Sequence, residues 1–115
     1  MQIPTIKEIL KKNKIKIHKS LGQNFIFDQN LTDKIVSKSK PLCNTIIEIG
    51  PGPGCLTRSI LKEKPEKLFV IDIDEQSEKM LSDLKLIYDD KLNIIIGDAL
   101  KFPIWELGSF PRQVI

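Results

Sequence analysis

In this 115-residue chain the side chains best suited to binding or catalysis begin at Glu48. Glu48-Ile49-Gly50-Pro51-Gly52-Pro53-Gly54 sets an acid ahead of glycines at every second position, and two further acids, Asp72 and Asp98, each follow an apolar, β-branched run. Glycines let a backbone turn sharply and approach a ligand where a side chain would collide. A dinucleotide loop of the G-x-G-x-x-G kind would need glycine or alanine at position 55, where Cys55 stands. Pro51 and Pro53 also remove two amide donors from a loop that would otherwise cradle a pyrophosphate. A cofactor without phosphates fits this loop better than an NAD-type one, and a tight turn with no ligand is the plain alternative.

Alternating strands and helices must position these groups. Thr45, Ile46, Ile47 and Ile49 suit a buried strand, and Leu56, Ile60 and Leu61 recur at helical spacing beyond the glycines. Lys64-Pro65-Glu66 breaks that helix, and Leu68 to Ile71 reads as a second buried strand ending at Asp72. Met80, Leu81, Leu84 and Ile87 mark one helix that starts at Glu75 and ends near Asp89-Asp90; Leu92 to Ile96 follows as a third strand, ending at Gly97-Asp98-Ala99. Gln113-Val114-Ile115 opens a fourth. This order predicts an α/β domain with a parallel sheet, cut after the third strand and the start of the fourth, with the first strand's edge left open. Ligands of such sheets bind beyond the carboxyl ends of the strands, where all three acids fall.

The acid-x-Gly-x-Gly-x-Gly pattern resembles the first motif of class I S-adenosylmethionine methyltransferases, whose fold is a Rossmann-like parallel sheet. At the end of the second strand Asp72 can accept hydrogen bonds from both ribose hydroxyls of such a cofactor; Asp74, two residues later, is better suited to capping the next helix. Asp98 can accept from the exocyclic amine of adenine, with Ala99 small enough to let the ring lie close, although Gly97-Asp98 alone would also pass for a turn.

Charge is divided unevenly. Residues 1–40 carry nine lysines against Glu8, Asp28 and Asp33, a net +6, while the rest of the chain carries nine basic and twelve acidic groups, a net −3. A basic leader over residues 1–19, ahead of a partial domain over 20–115, suggests a polyanion, with nucleic acid ahead of membrane because no strong apolar face accompanies the lysines; a solvated tail is the bland reading. No stretch is apolar and long enough to span a bilayer or to serve as a secretory signal, which predicts a cytoplasmic protein. Cys43 and Cys55 lack metal-ligand spacing and read as free thiols, and the lone His18 as a solvated side chain, so no metal is expected.

Between leader and sheet lies Lys19-Ser20-Leu21-Gly22-Gln23-Asn24-Phe25-Ile26-Phe27-Asp28. Asp28 or Asn30 can cap a helix through Leu31, Ile35 and Val36, which leaves Gln23 to Phe27 as a loop able to fold over a cofactor mouth. Together with Glu48 to Thr57, this segment resembles the ribosomal RNA adenine dimethyltransferase family, and the leader Ile6 to Lys12 is similar to bacterial members acting on the small subunit. The resemblance implies S-adenosylmethionine as cofactor, held by Asn24 and Ile26 in the covering loop, Gly50 at the first turn, Asp72 at the ribose and Asp98 at the adenine. Glu48 and Gln23 match the same motifs, Glu48 chiefly as an organiser of the loop. It also implies dimethylation of the N6 atoms of two adjacent adenosines near the 3′ end of small-subunit ribosomal RNA, with that RNA or an immature small subunit as partner and no protein partner inferred. The family's Asn-Leu-Pro-Tyr-type acceptor motif does not occur in these residues, so no catalytic residue is assigned and the chain is expected to be an inactive N-terminal portion. A non-enzymatic RNA-binding or ribosome-assembly remnant is the alternative.

Overall fold

The computed structural model describes residues 3–14 and 28–115; Gln23, Asn24, Ile26 and His18 lie outside them. Helix α1 spans Ile6–Lys12 and α2 Gln29–Lys38; β1 (Thr45–Ile49), α3 (Cys55–Lys62), β2 (Lys67–Asp72), α4 (Gln76–Met80), α5 (Ser82–Tyr88), β3 (Leu92–Ile96) and β4 (Arg112–Val114) follow. The strands form one parallel sheet in the order β3-β2-β1-β4. This is the α/β architecture with a parallel sheet that the alternation predicts.

Side chains alternate across a strand, so β1 and β2 present Ile46, Leu68 and Val70 to one face, where they pack with Leu92, with Ile60 and Leu61 of α3, and with Leu81 and Leu84 of the α4–α5 segment. Val36 of α2 completes this core. Asp28, rather than Asn30, caps α2: its carboxylate accepts the backbone N–H groups of Asn30 and Leu31 at 2.9 and 3.3 Å. Cys43 and Cys55 are free thiols.

Two expectations need correction. The single helix through Met80, Leu81, Leu84 and Ile87 is two helices, because Leu81 leaves helical geometry at φ −100°, ψ 3°. Its neighbours keep the apolar spacing across the break, so periodicity alone could not reveal it. The edge of β1 is not open either, since β4 pairs with it from Thr45 to Ile47, bringing Arg112, Gln113 and Val114 into register. Gln113 reinforces the contact by donating to the Ser39 carbonyl and accepting the Cys43 N–H.

Gly54, at the N-cap of α3, has φ +95°, and a Cβ there would come within 2.6 Å of a Leu81 methyl and 3.3 Å of a Leu84 methyl. Close approach of α3 to the α4–α5 break thus requires glycine. Gly54→Ala should lower the unfolding free energy by about 2 to 4 kcal/mol, left-handed strain and overpacking adding together. Gly50→Ala, where φ is +69° but a Cβ would meet nothing within 4 Å, should cost only about 1 to 2 kcal/mol. Urea unfolding midpoints of the two variants check the order.

Candidate cofactor site

The carboxyl ends of β1, β2 and β3 are held level by backbone hydrogen bonds that carry the ladder past the strands themselves. Gly50 N–H donates to the Ile71 carbonyl and Gly97 N–H to the Asp72 carbonyl, both at 2.8 Å. Beyond this edge lies a cleft of about 270 Å³ lined by Gly50, Asp72, Asp98 and Ala99 together with Ile49, Ile71, Ile73, Gly97 and Leu100. A Cβ on either Gly50 or Gly97 would meet no atom within 4 Å, so both glycines border free space.

Each acid is oriented yet keeps acceptor capacity. Asp72 receives the Ser77 hydroxyl on Oδ2 at 2.5 Å and the Asp74 N–H on Oδ1 at 3.0 Å. Ser77 is fully buried, so this brace is shielded from water. A carboxylate offers about four lone-pair sites, which leaves room at Asp72 for two further donors. Asp98 receives the Leu100 N–H on Oδ1 at 2.9 Å, and Oδ2 has no partner among the described residues. Asp74 accepts the Gln76 N–H at 2.9 Å, but the helix begins at Gln76 rather than Glu75, and its N-cap is Glu75, not Asp74 as expected.

Three apolar walls are not singled out by the sequence: Ile49, Ile73 and Leu100, exposed by 51, 72 and 95%. Large aliphatic groups so exposed beside polar acceptors suit a flat, partly apolar ligand ring. Their only sequence signal is adjacency, each lying next to or within two residues of a motif glycine or acid. A larger groove of about 750 Å³ runs beside β3 between Phe69, Asn93, Ile95 and α5 residues such as Leu86. It lies along the middle of the strands, away from the glycine loop.

Behind the loop, Glu48 is 2% exposed and accepts the Thr57 hydroxyl of α3 at 2.6 Å, tying the strand before the glycines to the helix after them. A second brace, equally silent in the sequence, joins α2 to α3: Gln29 Nε2 donates to Ser59 Oγ at 2.6 Å, Thr32 and Ser59 exchange a hydrogen bond at 2.8 Å, and Ser59 donates to Asp33 at 2.5 Å. Polar residues at helical spacing read as a wet face, and only the facing helix turns them into a buried network.

Burial pushes the Glu48 carboxyl up to about 7; the Thr57 hydrogen bond opposes this rise and the nearby Asp72 charge adds to it. Because the folded-state value lies above the ordinary 4.5, the folded chain holds a proton that the unfolded chain releases between these values. Stability is therefore full at acid pH and falls as pH rises through about 7. The loss should reach on the order of 3 kcal/mol by alkaline pH. Glu48→Gln, which still accepts from Thr57 but cannot ionise, should remove that slope in urea titrations run across the window; an unchanged slope would show that Glu48 is not its source.

The family profile for ribosomal RNA adenine dimethylase matches residues 14–109. Over 101 residues the chain is 42% identical to ribosomal RNA small subunit methyltransferase A of Bradyrhizobium diazoefficiens, covering 87% of this chain and 36% of that protein. With the protein of the same name from Rhodospirillum rubrum it shares 37% identity over 114 residues, 98% of this chain and 40% of that one. Well under half the length of these relatives is therefore represented. Among solved structures, a dimethyladenosine transferase from Plasmodium falciparum superposes with a TM-score of 0.55 at 26% identity, over 76% of this chain and 32% of that one. With the glycine loop, the aligned strand ends and the profile match all falling on the same residues, the chain belongs to the ribosomal RNA adenine dimethylase family.

Proposed function

We propose that the chain is the cofactor-holding part of an enzyme that dimethylates adenosine N6 atoms of small-subunit ribosomal RNA, with S-adenosylmethionine as methyl donor. The observation that carries this reading is the convergence of Gly50, Asp72 and Asp98 on one cleft in which both carboxylates keep free acceptor sites. The donor set fits the group: acceptors for ribose hydroxyls at Asp72, an acceptor for an adenine amine at Asp98, open space before Gly50 where a backbone can be approached, and no lysine or arginine among the described residues that line the cleft. When bound, the cofactor supplies a methyl carbon activated by its sulfonium.

The chain's own residues then have three tasks. Asp72 fixes the ribose, held in one rotamer by Ser77 and the Asp74 N–H. Asp98 and Ala99 set the depth of the adenine, between apolar walls at Ile73 and Leu100 that exclude water from the ring faces. Asn24 and Ile26 are assigned to the covering loop on family resemblance. Alignment of this kind is how an enzyme favours an in-line displacement in which it makes no bond of its own. The reading extends to ribosomal RNA, free or within an immature small subunit, as the acceptor, and to the cytoplasm as the site of action. No helix among the described residues is long and apolar enough to cross a membrane.

Titration calorimetry tests the assignment with S-adenosylmethionine and its demethylated product. Asp72→Ala and Asp98→Ala should each weaken binding roughly 10- to 100-fold, the worth of a charge-assisted hydrogen bond. Equal affinity in both variants and the unaltered chain would remove the site. Lysine-dependent RNA binding without any cofactor binding would favour a non-enzymatic RNA-binding protein instead.

A further inference from the structure

The N-terminal lysines stand on a helix fixed to the domain. Helix α1 opens with a capping box in which Thr5 Oγ1 accepts the Glu8 N–H at 3.2 Å and Glu8 accepts the Thr5 N–H at 3.1 Å. Its inner residue Ile9 is fully buried, and Ile3 packs against the main core. On one flank Lys12 pairs with Asp83 of α5 at 3.5 Å, and the charges of Asp83 and Glu8 both act on Arg58 of α3. The helix therefore lies across the first turns of α3 and α5.

This docking decides which cations remain outside. Lys7 and Lys11, four residues apart and so on one helix face, and Lys14 just beyond the end are all exposed. None forms an ion pair among the described residues, and residues 1–2 and 15–27 contain no aspartate or glutamate to supply one. The helix's own acid is engaged in the cap. No large apolar side chain of α1 is among the exposed ones, so the face lacks what an interfacial membrane helix needs.

We propose that Lys7, Lys11 and Lys14 form a docking surface for the phosphate backbone of RNA, held at a fixed position on the domain by Ile9 and the Lys12–Asp83 pair. Docking on a packed helix removes much of the ordering cost that a disordered basic tail pays on binding. The inference rests on the RNA-acting reading above, and the two fail separately because cofactor binding and RNA binding are measured independently.

The experiment compares the unaltered chain with a Lys7→Gln, Lys11→Gln, Lys14→Gln triple variant. A second triple variant, Lys38→Gln, Lys64→Gln, Lys91→Gln, removes the same charge from exposed positions at the opposite edge of the sheet, where helices end and strands begin. A short RNA hairpin is titrated over a series of salt concentrations. The α1 variant should bind about 10-fold more weakly at low salt, with a log–log salt slope shallower by about 2, as expected when three phosphates are no longer neutralised. The opposite-edge variant should stay within about 2-fold of the unaltered chain. Arginine at the three α1 positions should restore binding, and S-adenosylmethionine affinity should be the same in all variants, which also reports that they fold. Equal weakening in both glutamine variants would reduce the effect to net charge and overturn the surface. So would an unaffected α1 variant, or binding to phosphatidylserine vesicles as tight as to RNA and dependent on the same three lysines.

Discussion

The register of three parallel strands is the constraint on which the rest depends. Two hydrogen bonds, from Gly50 to Ile71 and from Gly97 to Asp72, hold β1 and β3 level with β2 at the point where each chain leaves the sheet. A slip of one residue would turn every side chain of a strand to the opposite face. It would take Ile46, Leu68 and Val70 out of the core and point the strand-end acids elsewhere, so the apolar packing on the helix face and the cleft at the sheet edge are enforced by the same pairing.

The loop between β1 and α3 is held by contacts of a different kind. Glu48 and Thr57 close it from behind with one buried hydrogen bond, and the Gln29, Thr32 and Ser59 network holds α3 from the side of α2. A buried carboxyl with a single donor is costly to ionise, whereas the α2–α3 network shares its polar groups among several partners. The first contact therefore responds to protonation near neutrality. The second is a fixed brace, anchored at its exposed end by the Lys62–Asp33 pair.

The three full strands are legible in the sequence because each is a run of β-branched residues closed by a turn former: β1 by Gly50, β3 by Gly97, β2 by the acids after Ile71. The cleft residues Gly50, Asp72 and Asp98 are legible for the same reason, since any residue just past a parallel strand falls at the carboxyl edge. The break at Leu81 is hidden because apolar spacing is indifferent to one non-helical residue. β4 starts one residue earlier than the sequence suggests, its first residue being Arg112, whose charge masks a strand start. The placement of α1 is harder still: in its sequence Ile6, Ile9 and Leu10 stand among lysines, and the pairing of Lys12 with Asp83, about seventy residues on, leaves no local signal.

The motif glycines are not equivalent. Gly50 faces open space, while Gly54 is pressed by the methyl groups of Leu81 and Leu84. The first is constrained by its left-handed backbone alone, and the second also by the side chains packed behind it. A smaller residue in place of Leu81 would relieve the crowding at position 54 but not its left-handed backbone, whereas position 50 has no such neighbour to relieve. One glycine pattern thus meets two different demands, open space at the rim of a cleft and close packing behind it.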